Sequence, residues 1–274
     1  MANTIGYGQG AVNNTNGFGK SATNNTIDFG EVCADSYSPE TNLTGTGTGF
    51  SNTQSIELDG IDDYVEVADA DNLSFGNGST DSPFSISAWI KPTSAPFRIV
   101  FKWGTSTQEY YFQIAGGGKL QLKLQNGSAY IGKNANTTIT LNTWHHVSIT
   151  YDGSSSANGI NVYLNSNNDN FNNITSGTYT AMSNTTEPFL IGRYAGGSSS
   201  LGKIDEVAIF DVELSSTEVT NIYNSGVPND ISSISGLVSW WRFEGTGTTA
   251  TDSGSGGNDG VLDNTVVRST DVPT

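Results

Sequence analysis

The 274-residue chain carries a formal net charge of −16, and with only 14% charged residues but abundant Gly, Asn, Ser and Thr it favours turns and short strands over helices. Eleven Tyr, twelve Phe and five Trp are enough to fill a core and exclude general disorder. The acidic balance excludes unassisted binding to nucleic acid or an anionic membrane, which need a positive field, and the single Cys33 excludes an intrachain disulfide and a C-x-x-C zinc spacing.

MANTIGYGQG has neither the basic nor the apolar stretch of a secretory leader, and no apolar run approaches the ~20 residues of a membrane-spanning helix. The expectation is a protein made in a cytoplasm, without membrane insertion. Residues 1–50 are then organised by a repeat: IGYGQGAVNNT, NGFGKSATNNT and IDFGEVCADSY align at a period of eleven, with Tyr7, Phe18 and Phe29 at equivalent places. One aromatic per unit suits stacked strand-and-turn rungs, but three thin rungs bury little by themselves. Such an arm is expected to be ordered by a partner chain or by self-association, with Tyr7, Phe18 and Phe29 as assembly contacts.

From residue 51 short alternating segments follow one another, among them SIELDG, DYVEVA, FSISAWIKP, YYFQIAG, KLQLKLQNG, WHHVSITYDG and GKIDEVAIF, each bounded by Gly, Asn, Asp or Pro. This is the spacing of an all-β sandwich or jelly roll. In KLQLKLQ, Leu120, Leu122 and Leu124 share one face and Lys119, Gln121, Lys123 and Gln125 the other, the pattern of a half-buried antiparallel strand. GGGK at residues 116–119 reads as a hairpin turn. His145 and His146 point to opposite faces, one expected packed and the other exposed, so they cannot jointly grip a metal. A short helix is expected near residues 215–225: Ser215 caps it, Glu218 lies three residues on, Val219, Ile222 and Tyr223 make its apolar face, and Gly226 stops it. Trp240 and Trp241 are adjacent on a strand, where one ring of such a pair enters the core.

These segments resemble the laminin-G-like, concanavalin A-like lectin/glucanase superfamily, particularly its pentraxin-related branch. The resemblance is carried by DGIDDYVEV, SISAWIKP, TWHHVSITYDG, INVYLN, FLIGRY and GKIDEVAIFDVELSSTEVTNIYNSG, in that order, over residues 51–226. It implies an antiparallel jelly-roll β-sandwich. GLVSWWRFEGTGTTATDSGSGGNDGVL also resembles the family but stands after the last strand instead of before the first, so residues 227–274 are expected to complete the sandwich from the other end. The repeat, sandwich and tail together resemble structural proteins of marine tailed bacteriophages.

The resemblance also draws attention to carboxylates. Asp59, Asp62 and Asp63 surround a turn, and Asp205, opening a strand that lies nearby in the family, joins them as a candidate ligand of a structural Ca²⁺. The alternative is a hairpin shaped by Asp and Gly with Asp63 exposed. Glu57, Asp59 and Asp62 spell E-x-D-x-x-D, close to the acid motif of retaining glucanases, but the last acid is Asp and Gly60 breaks the strand face that the chemistry needs. Trp103, Tyr110, Tyr111, Tyr130 and Arg193 lie near strand ends where a sugar would bind; core packing is expected for most of the rings, and no glycan site is assigned.

Three functional classes follow. The first is a non-enzymatic virion protein, a capsid decoration, head fibre or tail fibre subunit, anchored to other virion proteins through its arm, homo-oligomeric, and presenting the sandwich to cell-surface glycans. The second is a free carbohydrate-binding module. The third is a glycoside hydrolase, which the broken acid motif disfavours.

Overall fold

The computed structural model describes residues 50–274 except Ser106 and Asn264; the arm contacts expected at Tyr7, Phe18 and Phe29 lie outside the described residues. Ser51–Thr274 forms one compact unit. In chain order its strands are β1 (Ser55–Asp59), β2 (Tyr64–Val67), β3 (Phe84–Pro92), β4 (Phe97–Trp103), β5 (Gln108–Ile114), β6 (Lys119–Asn126), β7 (Ala129–Thr138), β8 (His145–Tyr151), β9 (Ile160–Leu164) and β10 (Asn167–Asn168). They continue with β11 (Asn170–Ser176), β12 (Phe189–Ile191), β13 (Arg193–Tyr194), β14 (Ser198–Ser199), β15 (Leu201–Phe210), β16 (Leu237–Trp241), β17 (Thr249–Ala250), β18 (Gly260–Asp263) and β19 (Val267–Ser269).

Two antiparallel sheets form the sandwich. One has eight strands in the order β10-β9-β8-β3-β15-β1-β19, with β16 also paired to β15; the other has nine, β11-β7-β6-β5-β4-β12-β2-β18-β17. Alternation explains the layer between them. Leu120, Leu122 and Leu124 are fully buried while Lys119, Gln121 and Lys123 stay partly exposed, and the inward positions of β3 and β8, Phe84, Ile86, Ala88, Val147 and Ile149, are fully buried opposite them. Phe84 stacks on Phe75 at 4.5 Å and meets the rings of Tyr110 and Tyr151, which fixes one end of this core.

Strands from the C-terminal segment enter both sheets: β16 pairs with β15, β18 with β2 and β19 with β1. Trp241 stacks on Phe189 inside the core at 5.3 Å, and Trp240 turns to the other face of its sheet. The helix α1 (Ser216–Tyr223) has the capping box that Ser215 and Glu218 announce. It ends through Asn224 at φ 44°, ahead of Gly226.

Two expectations are corrected. Neither histidine is exposed: His146 is fully buried against Trp89 and Tyr223 of α1, donating or accepting at 2.7 Å with Ser87 Oγ, and His145 is buried on the opposite face. Burial pushes the His146 imidazole down to about 3, so it is neutral. Asp205 does not open its strand but lies in the middle of β15, opposite Trp89 and fully buried.

Candidate functional site

Helix α1 packs on the eight-stranded sheet, so the outer face of the nine-stranded sheet is the broad surface left to consider. Its side chains fall into rows because the pairing register carries one outward position on each strand to the next. The central row runs Glu66, Leu190, Phe101, Tyr111, Lys123, Gly132, Ile174 from β2 to β11. A second row, Arg98, Gln113, Gln121, Asn134 and Asn172, lies beside it. On the other side Trp103 pairs with Gln108 and Tyr130 with Gln125, and the two amides are joined by a 3.1 Å hydrogen bond.

Aromatic rings hold the middle of this face. Tyr111 stacks on Phe101 with centroids 4.9 Å apart, Trp103 meets Tyr111 edge-on at 5.0 Å, and Tyr194 meets Phe101 at 5.9 Å. The Lys123 ammonium sits 3.7 Å over the Tyr130 ring and 5.5 Å from that of Trp103. Beside the rings the amides form a chain: Gln113 donates to Gln121 at 3.1 Å, Gln121 donates to Asn134 at 2.8 Å, and Asn134 to Asn172 at 3.4 Å. Burial raises the Tyr111 hydroxyl to about 12, so it remains a neutral donor. At the β2 end Arg193 lies 4.5 Å over the Tyr64 ring, beside a cavity of about 200 Å³ also lined by Glu66, Pro188 and Leu190.

Of the five sugar-contact candidates read from sequence, the fold brings Trp103, Tyr111 and Tyr130 together and leaves each partly exposed. Arg193 borders the same face. Tyr110 is not part of it: it is wholly inside the core, its hydroxyl donating to Leu73 O at 2.7 Å. The amide chain was the missed component. The outward Gln121 and Lys123 are visible in the alternation of β6, but the register that aligns them with Arg98, Gln113 and Asn134 is a property of four strands at once.

The acidic turn is built differently from expectation. Asp59, Asp62 and Asp63 have carboxylate oxygens within 4.8 Å of one another, whereas Asp205 is not among them. Because Asp59 pairs with Leu201, Asp205 is four residues farther along β15, roughly 13 Å away. There it accepts from Asn52 Nδ2 and from the Glu206 N–H, each at 2.9 Å. Asp63 is 2% exposed, which corrects the exposed-hairpin reading. Its Oδ2 accepts from Asp59 N, and its Oδ1 from Thr265 N and Oγ1, tying the turn to the loop between β18 and β19. Asp59 Oδ1 accepts from Ile61 N and Asp62 N. Three hard carboxylates on one turn suit the oxygen chemistry of Ca²⁺, and the N–H donors hold their geometry in advance.

The E-x-D-x-x-D acids are not a catalytic set in this geometry. Glu57 pairs with Lys203 at 3.2 Å on β1, the strand ends at Asp59, and Gly60 turns the chain at φ 79° before Asp62.

Residues 59–220 match the sequence profile of the concanavalin A-like lectin/glucanases superfamily. The chain belongs to that superfamily. No curated protein matches it in sequence. Among solved structures it is similar to a "putative carbohydrate binding protein" from Bacteroides ovatus, with a TM-score of 0.59 and 18% identity over 82% of this chain and 62% of that one. It is also similar to the heptameric SAP-like pentraxin of Limulus polyphemus, with a TM-score of 0.50 and 15% identity over 79% of this chain and 94% of that one. At these identities the likeness is one of fold. The chain spans less than two thirds of the Bacteroides ovatus structure.

Proposed function

We propose that the chain is a non-enzymatic carbohydrate-binding protein that takes a glycan on the outer face of its nine-stranded sheet. The observation that carries this reading is the band of Trp103, Tyr111 and Tyr130 beside the amide chain of Gln113, Gln121 and Asn134. Pyranose rings present C–H faces that stack on aromatic side chains and hydroxyls that pair with amides, and this face offers both side by side. The Bacteroides ovatus protein of the same fold is described in terms of carbohydrate binding, which accords with it. A glycosidase needs two carboxyl groups flanking the scissile bond, and the central row contributes Glu66 alone.

The wider setting we propose is a virion. The sandwich would be displayed by a phage particle, the arm at residues 1–50 would join it to other virion proteins and to copies of itself through Tyr7, Phe18 and Phe29, and Ca²⁺ would occupy the turn of Asp59, Asp62 and Asp63. The support for the virion is the eleven-residue repeat and the sequence resemblance it contributes to. Many copies on one particle turn weak single contacts into lasting adhesion.

The test is a glycan array probed with the full-length protein, followed by calorimetric titration of each hit against wild type, Trp103→Ala and Tyr130→Ala. Binding that falls about tenfold in either variant, ~1.4 kcal/mol, is the expected result. Silence across neutral and acidic glycans alike, or hits indifferent to both substitutions, would remove the proposal.

A further inference from the structure

From β4 to β11 the outer face of the nine-stranded sheet carries a charge bias opposite to that of the chain, while Glu66 and Asp263 stand on its β2 and β18 strands. Acids outnumber bases 27 to 11 in the whole sequence. Strands β4, β5, β6, β7 and β11 reverse this, holding Arg98, Lys102, Lys119, Lys123 and Lys133 against one acid, Glu109. Glu109 does not reach the outer surface, because it is fully buried and ion-paired with Lys102 at 2.9 Å. Arg98, Lys119 and Lys123 stand at outward positions, and Arg193 joins them from β13.

The pairing of these cations differs from that of the bases elsewhere. Lys91, Lys203 and Arg242 each face a carboxylate within 4.0 Å, and Arg268 is held by the carbonyls of Phe243, Gly247 and Thr249, whereas none of Arg98, Lys119, Lys123 and Arg193 makes a salt bridge among the described residues. Three of them rest on rings instead: Lys123 over Tyr130, Lys119 5.1 Å over Phe171, and Arg193 over Tyr64. The fourth, Arg98, lies beside Tyr111 and Tyr194 with its Nε buried and without an acceptor. Burial lowers the pKa of both Arg98 and Lys123, the mark of cations that have lost water and gained no anion. Four cations without a salt bridge gather among stacking rings; Glu66 and Asp263 stand near Arg193 at the β2 end, while Arg98, Lys119 and Lys123 have no carboxylate within 4.0 Å among the described residues.

We infer that the ligand of this face is an anionic polysaccharide, with sugar rings against Trp103, Tyr111 and Tyr130 and carboxylate or sulfate groups against Arg98, Lys119, Lys123 and Arg193. This rests on the reading of the face as a glycan site and adds the ligand's charge to it. The cations spread from β13, which with β14 lies against β4, to the β6 hairpin, and the row from β2 to β11 crosses six strand spacings of about 4.8 Å, roughly 29 Å, so an extended chain of several sugars meets more than one of them. Salt-sensitive attraction follows, because the cations stand at a solvent-facing surface.

The experiment uses the full-length protein with four soluble probes: alginate for carboxylates, carrageenan for sulfates, and laminarin and mannan as neutral polymers. Alginate or carrageenan should bind, with affinity falling about tenfold between 50 and 500 mM NaCl, and the two distinguish the acid group. Arg98→Gln and Lys123→Gln should each weaken that binding severalfold, Trp103→Ala should weaken it as well, and Lys203→Gln on the opposite sheet should not. Circular dichroism checks that each variant is folded. Neutral polymers bound as tightly as the acidic ones, in a salt-independent way, overturn the inference and leave the glycan site standing. Acidic polymers bound regardless of Trp103→Ala indicate ion exchange without ring recognition and overturn it too. Failure of all four probes removes the glycan site and this inference together.

Discussion

Tyr111 donates its hydroxyl proton to Oε1 of Gln121 on the neighbouring strand at 2.8 Å, and the same oxygen takes a second bond from Gln113. With its oxygen held by two donors, the Gln121 amide has one orientation, Nε2 toward Asn134. A surface amide usually rotates freely; this one is prearranged, which lowers the ordering cost of recognising a hydroxyl.

Gln121→Leu should therefore reduce glycan affinity about tenfold while changing stability by less than ~1 kcal/mol, since the site is partly exposed and the core face of β6 is untouched. Titration calorimetry and urea unfolding on the same preparation separate the two effects. An unchanged affinity would show that the amide chain only ties strands together.

The acidic turn gives two separable outcomes. Asp63→Ala leaves the N–H groups of Asp59 and Thr265 without their acceptor and should cost about 1–3 kcal/mol in EGTA, and more in calcium because it also removes a ligand. Calcium should raise the thermal midpoint of the wild type and not of Asp62→Asn, in proportion to ln(1 + [L]/Kd). Identical melting of the wild type in calcium and EGTA would take the ion away and leave a turn held by hydrogen bonds alone.

Beneath α1, β15 bulges and Glu206 takes φ 50°, placing its carboxyl against Trp240 Nε1 at 2.5 Å. Burial raises this carboxyl to about 8 despite the neighbouring Arg242, and raises Asp205 in the same direction. A folded pKa above the unfolded value means stability complete below about pH 4.5 and lost as pH rises through about 8. The thermal midpoint should fall across that interval as the folded state loses stability of the order of a few kcal/mol. Glu206→Gln keeps an acceptor for Trp240 and should flatten the decline. A wild-type midpoint constant from pH 5 to 8.5 would refute this.

What could be read in advance was local. The alternation of Leu120, Leu122 and Leu124 reports the buried face of β6 because side chains on a strand have period two, and the Ser215–Glu218 box marks α1 because both bonds close within three residues. The antiparallel sandwich followed from many such signals agreeing. Asp205 was misplaced, and the burial of Asp63 missed, for the opposite reason. The acceptor role of Asp63 depends on Thr265, 202 residues away, and the place of Asp205 depends on where β15 begins to pair. The binding face is likewise a matter of register. Shifts at Arg98–Val100, Lys102–Trp103 and Lys119–Gln121 decide which outward side chains meet, and nothing in a single strand announces them.

If the arm at residues 1–50 is the assembly element, its removal should separate folding from association. Residues 51–274, a compact unit with its own core, should melt cooperatively as a monomer, while the full chain sediments as an oligomer. Analytical ultracentrifugation decides it. A full chain that is monomeric at all concentrations, or a truncated one that still self-associates, would move the assembly contacts away from Tyr7, Phe18 and Phe29.

Lys102 offers the sharpest test of the interior. It is fully buried, and its ammonium faces four oxygens: Asp69 Oδ1 at 2.7 Å, Glu109 Oε1 at 2.9 Å, and the carbonyls of Glu187 at 3.0 Å and Thr185 at 3.2 Å. Glu109 is equally buried, and its Oε1 also accepts from the N–H and hydroxyl of Thr185, so cation, carboxylate and loop form one unit. Lys102→Met strands the Glu109 charge in the interior and should cost about 3–5 kcal/mol, because the desolvation of that carboxylate is then uncompensated. Adding Glu109→Gln removes the charge and keeps an acceptor for Thr185. The double variant should therefore be more stable than Lys102→Met alone, with a coupling of more than ~1 kcal/mol in chemical unfolding. Additive losses would mean that the ammonium is held by the carbonyls and Asp69, with Glu109 a bystander to it.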